Sequence, residues 1–316
     1  MGKKARKKVL LALGGNALLR ANEKGTDLEQ LGHIRETCKY FLKLLEKGYD
    51  LAITHGNGPQ VGAILLQNEM AKAKLPSMPL DLCGAKSQGF IGYMLARELF
   101  NALKQAGCKK EAVCLVTQVL VDPKDRAFQN PAKPIGPFYS ELEAKKLEVE
   151  KGWQLVLQTG KGFRRVVPSP EPIGIVEAKT IKELFLKGRI VIACGGGGIP
   201  VVQKADGSLV GVEAVIDKDH TAAFLAQEIG ADLLVILTDV EQVAINFGKN
   251  NQQNLNRLSV EEAEKYLLSG EFGKGSMGPK VEAARHFVLK GGSAMITSLE
   301  KCLEALEGKT GTLIYK

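Results

Sequence analysis

The stretch RIVIACGGGGIPVV, residues 189–202, places four consecutive glycines, Gly195 to Gly198, directly behind an apolar run. The run 189–193 reads as a buried strand. Glycine loses more backbone freedom on folding than any other residue, so a quartet of them must answer some local requirement. The arrangement occurs twice more, in KVLLALGG (8–15) and YDLAITHGNG (49–58), each an apolar run ending in glycines. Between the first two, Leu31, Ile34, Cys38, Phe41, Leu42 and Leu45 recur at helical spacing over 28–47, and Gly48 closes that helix. Helical patterns follow over 61–74 and 88–105, and AVCLVTQVLVD (112–122) reads as one strand. DLLVILTDV (232–240), SAMITS (293–298) and TLIYK (312–316) supply further strands. Strands alternating with helices predict an α/β fold, its parallel-rich sheet covered on both faces. In such sheets ligands sit just beyond the carboxyl ends of the strands.

One region departs from the alternation. Residues 122–172 are proline-rich, as in VDPKDRAFQNPAKPIGPFYS (121–140) and RRVVPSPEP (164–172), with a helical stretch at 141–150 and short strands such as WQLVLQT (153–159). Its valines and aromatics predict a small packed subdomain rather than a linker. KADG, residues 204–207, reads as a hairpin turn.

The chain has 316 residues, 45% of them hydrophobic, enough for one large domain or two modest ones. No apolar run approaches the roughly 20 residues of a membrane span. The basic start and its apolar follow-on, MGKKARKKVLLALGG, read as a lead-in to a first strand rather than as a signal peptide. The six cysteines form no C-x-x-C pair and no histidine stands at zinc spacing, so reduced thiols in a cytoplasmic protein are expected. The formal charge is +8, but lysine and arginine are dispersed among acids and aromatics are only 6%. That disfavours nucleic acid and leaves plain solubility or small anionic substrates.

Three glycine clusters at equivalent ends of neighbouring strands, Gly14-Gly15, Gly56-Asn57-Gly58 and Gly195 to Gly198, would expose backbone N–H groups to one crevice. Bare main chain of that kind binds anions. The chain carries no G-x-x-x-x-G-K-[ST] and no G-x-G-x-x-G after its first strand, which argues against a P-loop enzyme and a nicotinamide dehydrogenase. In GVEAVIDKDHTAAF, Asp217, Lys218 and Asp219 precede a helix, where either acid can serve as the N-cap. In GKGSMGPKVEAARHF, Gly275, Ser276 and Gly278 precede another, with Pro279 expected at its first position and Lys280 in its first turn. A lysine there opposes the helix dipole unless an anion docks at that end; the plain alternative is a solvated lysine. Of the four histidines only His55 lies beside a glycine loop, as a structural hydrogen-bonder, and no nucleophile–base pair stands out.

Taken in order along nearly the whole chain, ALGGNAL, THGNGPQVG, NPAKPIGPFY, RRVVPSPEP, CGGGGIPVV, GVEAVIDKD, ILTDV and GSMGPKVEAA resemble the carbamate kinases of the amino-acid-kinase superfamily. The resemblance implies an open three-layer αβα sandwich with a largely parallel central sheet and a small protruding subdomain at about 122–172. It implies an N-terminal lobe (1–210) for carbamate or carbamoyl phosphate and a C-terminal lobe (211–316) for the nucleotide. It further implies a homodimer using Mg²⁺ with ATP or ADP. Other amino-acid kinases carry a lysine two residues before the first glycine pair, where this chain has Ala12; in carbamate kinases a lysine of the subdomain takes over, and Lys133 matches it.

Phosphoryl transfer to carbamate joins two anions, needs no general base, and depends on positioning and fixed positive potential. Expected roles follow. Gly14, Gly15 and Asn16 contact the transferring group. Gly56, Asn57 and Gly58 bind the carbamate side, with Gly195, Gly196 and Gly197 lining the same floor. Lys218 and Lys280 balance phosphate charge, Asp217 orients those lysines, and Lys133 reaches in from the subdomain. Thr238, Asp239 and Met277 stand near the nucleotide, where strand-end and cap duty would explain them equally. Magnesium is expected to be held by phosphates and water, so no protein ligand is assigned.

Overall fold

Residues Val9 to Leu13 are fully buried because their strand has neighbours on both edges and helices on both faces. The computed structural model describes residues 6–20, 23–273 and 276–316. In chain order the first elements are β1 (Lys7–Leu13), α1 (Asp27–Glu46), β2 (Tyr49–His55), α2 (Gly58–Ala71) and α3 (Leu80–Gln105). They are followed by β3 (Ala112–Cys114), β4 (Gln118–Val121), β5 (Lys133–Tyr139), α4 (Glu141–Lys151), β6 (Gln154–Gln158), β7 (Gly162–Val167) and β8 (Pro172–Ile175). Next come α5 (Ala178–Leu186), β9 (Ile190–Ile192), β10 (Ile199–Gln203), β11 (Leu209–Gly211), α6 (Lys218–Ile229) and β12 (Leu233–Thr238). The chain closes with β13 (Val243–Ile245), β14 (Gln253–Leu255), β15 (Arg257–Ser259), α7 (Val260–Leu268), α8 (Met277–Leu289), β16 (Ser293–Ser298), α9 (Cys302–Leu306) and β17 (Thr312–Tyr315).

The central sheet has the order β15-β17-β16-β12-β1-β2-β9-β3. The six strands from β16 to β3 are parallel, and β17 and β15 run the other way. Alternation along each strand divides the core in two. Leu10, Ala12, Ala52, Val191, Leu234 and Ile236 face the layer that includes α5, α6, α7 and α8. Val9, Leu11, Leu13, Ile53, Ile192, Val235 and Leu237 face the layer of α1, α3 and α9. This period of two, with helices covering each side, is the expected three-layer sandwich. Local chemistry supports it: Thr26 and Glu29 form a capping box at the start of α1, and Gly48 follows its end with φ +85°.

The stretch 112–122 is not one strand. It splits into β3, in the central sheet, and β4, in a second sheet of order β11-β10-β4-β8. The break lies at Thr117, which is wholly buried and whose N–H and carbonyl pair with the side-chain amide of Gln88. The Gln88 side chain takes the Thr117 N–H, the Thr117 carbonyl also accepts from the Ile199 N–H of β10 at 2.9 Å, and the chain changes sheets. The strands β4 and β8 pair antiparallel, so the proline-rich excursion leaves and returns through adjacent strands. Within it, β5-β7-β6 and α4 form the small unit expected from sequence. The turn at 204–207 joins β10 to β11 as expected. The helix expected at 88–105 begins earlier, at Leu80, and the short β13–β14 hairpin was not legible in the pattern. No helix among the described residues is long and apolar enough to cross a membrane.

Candidate active site

Because β12, β1, β2 and β9 are consecutive and parallel, their carboxyl ends lie side by side. Thr238-Asp239, Gly14-Gly15, Gly56 to Gly58 and Gly195 to Gly198 therefore share one edge of the sheet. The approach is close. A β-carbon on Gly14 would stand 2.8 Å from the Leu237 carbonyl oxygen, and one on Gly56 would stand 3.8 Å from both the Gly15 nitrogen and the Lys218 Cδ.

The tetraglycine segment meets a different requirement from the one its sequence suggested. A β-carbon at Gly195 would overlap the His55 ring, at Gly196 the Asn57 amide, at Gly197 the Ile216 carbonyl and at Gly198 the Val119 side chain. Gly196, Gly197 and Gly198 also take φ of 66°, 93° and 88°, which side chains rarely adopt. The N–H groups of Gly197 and Gly198 donate to Cys194 and Gly195 within the turn. These glycines thus let three protein segments close on the turn, and two of their amides are committed to the turn itself. Gly15 and Gly58 remain exposed at the edge.

The charged residues form an alternating row. Lys133, the first residue of β5, donates to Asp217 Oδ2 at 2.7 Å. Asp217 is the N-cap of α6 and accepts from the Asp219 N–H at 2.9 Å. Lys218 donates to Asp219 Oδ1 at 2.7 Å, and Lys280, in the first turn of α8, donates to Asp219 Oδ2 at 2.9 Å. The carboxylate that orients the two lysines is therefore Asp219, and Asp217 holds the lysine from the subdomain. The physical reason is helix geometry: an N-cap side chain turns back to its own helix, whereas the residue two further on faces the packed neighbour. Pro279 falls at the third position of α8, not the first.

Burial sets the electrostatics. The Asp219 side chain is only 5% exposed. Burial works to raise its carboxyl, but Lys218 and Lys280 overcome that and hold it below the usual carboxylate range. Asp217 is likewise held low, burial being outweighed by Lys133. Burial lowers Lys218 and the nearby Lys280 adds to this, with Asp219 opposing. His55 is buried, hydrogen-bonds the Gly56 carbonyl at 2.9 Å, and is pushed down to about 4 by desolvation, which keeps it a neutral structural group.

A cavity of about 960 Å³ opens beside the row. Gly14, Gly15, Thr238, Asp239, Met277 and Lys280 line it, so these six of the residues expected near phosphates and nucleotide are brought together. Tyr40 from α1 and Phe247 and Phe272 from the C-terminal half give it apolar walls that sequence reasoning did not single out, because each reads as an ordinary helix or loop residue. Lys133, Lys218, Gly56 and Asn57 stand outside the cavity lining, further along the edge. Gly275 and the side chain of Asn16 lie outside what the structure describes.

Comparison with known proteins shows the family. The amino acid kinase family matches residues 7–298. A carbamate kinase of Pyrococcus horikoshii is 52% identical over 97% of this chain and 98% of its own length. The chain belongs to the amino acid kinase family, among its carbamate kinases. A carbamate kinase of Staphylococcus haemolyticus is 50% identical over 98% of this chain and 99% of its own length. The solved structure of a Giardia lamblia carbamate kinase bound to AMP-PNP superimposes with a TM-score of 0.93 at 45% identity, covering 99% of both chains. As a carbamate kinase family member the chain is a phosphotransferase.

Proposed function

We propose that the chain catalyses reversible phosphoryl transfer between ATP and carbamate, giving ADP and carbamoyl phosphate, along the edge formed by β12, β1, β2 and β9. The supporting observation is the row Lys133–Asp217 and Lys218–Asp219–Lys280 alongside a cavity with room for a nucleotide. ATP or ADP occupies the cavity, held against its C-terminal-lobe wall at Thr238, Asp239 and Met277. Carbamate or carbamoyl phosphate occupies the N-terminal lobe, at Gly56, Asn57 and Gly58. The transferring group lies between them, at Gly14, Gly15 and Asn16.

The chemistry needs charge more than proton transfer. Carbamate oxygen is already an anion, so no base is required; what must be overcome is repulsion between it and the γ-phosphate. Lys218 and Lys280 present ammonium groups pre-oriented by Asp219, so little reorganisation is needed as charge develops. Lys133, carried on the subdomain, adds a third at the carbamoyl end. Magnesium arrives as part of the nucleotide substrate, bound by its phosphates and water. We further propose a homodimer in a reducing cytoplasm, a setting consistent with six free cysteines.

A coupled assay of ATP formation from ADP and carbamoyl phosphate tests the reading. ATP formation supports it. Tight ADP binding without any ATP would make the protein a nucleotide-binding relative without turnover.

A further inference from the structure

Asn57 has an unusual duty for its position. It is the N-cap of α2, yet its side chain makes no capping bond to that helix. Instead its Nδ2 donates to Ser87 Oγ on α3 at 2.7 Å. Ser87 is wholly buried, and its hydroxyl donates in turn to the Gly84 carbonyl at 2.7 Å. On the other side the amide lies against Gly196, where a β-carbon would overlap its Nδ2, Cγ and Oδ1. The Asn57 amide is therefore clamped between α3 and the tetraglycine turn.

The clamp has a polarity. A serine hydroxyl has one proton to give and lone pairs to accept with. With that proton on Gly84, only the lone pairs of Ser87 are available, and they call for the NH₂ side of Asn57. Turning the amide over would draw the Ser87 proton away from Gly84 and leave one hydrogen bond where there are now two. Asn57 Oδ1 is thus directed away from Ser87. It accepts no hydrogen bond from any described residue, and Asn57 is partly exposed at the substrate edge.

We propose that Ser87 is a positioning residue that fixes the Asn57 amide so that Oδ1 selects substrates bearing an N–H donor on the acyl carbon. The inference rests on the carbamate kinase reading of this edge and deepens it. Carbamate and carbamoyl phosphate offer an NH₂ group to such an acceptor. An acetyl group of the same shape offers a methyl, leaving Oδ1 without a partner once the substrate has displaced water from it, and discrimination by an unpaired polar group is strong.

The test compares carbamoyl phosphate with acetyl phosphate as phosphoryl donors to ADP, reading kcat/KM for each. Wild-type protein should prefer carbamoyl phosphate. Ser87→Ala, which frees the amide, should shrink that preference about 3- to 10-fold, and Asn57→Ala should shrink it at least as much, with KM for ADP unchanged. If both donors slow alike and the preference stays at its wild-type value in the two variants, Ser87 is only structural and the inference is overturned. Absence of any preference in the wild-type protein overturns it equally. If the wild-type protein makes no ATP from carbamoyl phosphate at all, the reading of the edge fails first, and the two failures are told apart.

Discussion

Asp219 faces two ammonium groups with one carboxylate, and all three are largely removed from water. Replacing Asp219 by Asn keeps the shape and removes the charge, leaving Lys218 and Lys280 buried and mutually repelling. Breaking a buried pair in this way costs about 3–5 kcal/mol, so a marked drop in melting temperature is expected together with a loss of turnover of at least about 100-fold. Wild-type stability and wild-type turnover in Asp219→Asn would remove its orienting role. His55 makes a separate acid prediction. Its ordinary value is 6.5 and the folded value about 4. Between these limits the unfolded chain takes up a proton that the folded chain refuses, so stability falls as pH drops from 6.5 towards 4. Thermal melts across that window should show the decline, and His55→Gln should flatten it. At this scale the sequence was legible in part. Lys218 and Lys280 stood out by position and Lys133 through the family resemblance, but which carboxylate served which lysine depended on the turn of α6. The glycines of 195–198 announced a close approach without saying that the approaching atoms were the protein's own.

Among the elements, β5 and α8 carry the outer charges of the row. The first residue of β5 reaches Asp217 at the N-cap of α6, and the return arm before β8 brings Glu171 to within 2.8 Å of His220 on the same helix. The subdomain is thus tied twice to the first turn of α6. Lys133→Ala should raise KM for carbamoyl phosphate about 10-fold or more while ADP affinity by calorimetry stays near wild type. Collapse of ADP binding would show that β5 serves the nucleotide side. Lys280→Ala, at the start of α8, should cut kcat by about 10²–10³-fold in a folded protein, and unchanged turnover would remove its role. The alternation of strand and helix was readable from hydrophobic periodicity. The switch of sheets at Thr117 was not, because Thr117 and Gln118 are compatible with a continuing strand and only a hydrogen-bonding partner far away, Gln88, marks the break.

At the scale of the whole molecule, the expected division near residue 210 does not divide the central sheet. The strand β1, from the first half, pairs with β2 on one edge and with β12, from the second half, on the other. Two lobes that share a sheet should not melt separately. Calorimetry should show one cooperative transition, moved upward by about 2.7 kcal/mol of stabilisation when ADP is present at a hundred times its dissociation constant. Two resolved transitions, only one of them responsive to ADP, would show independent lobes.

The position of β1 also bears on how the protein is made. Val9 to Ala12 leave the ribosome long before β12, and β2 follows soon after to cover one side of them. The other side waits for Leu233 to Ile236. For most of synthesis, an unprotected ribbon of valine and leucine is available to any other nascent chain, a known route to aggregation. Fragments ending before β12 should therefore precipitate or recruit chaperones, and the tendency should fall only once β12 and then β16, which covers the far edge of β12, have been added.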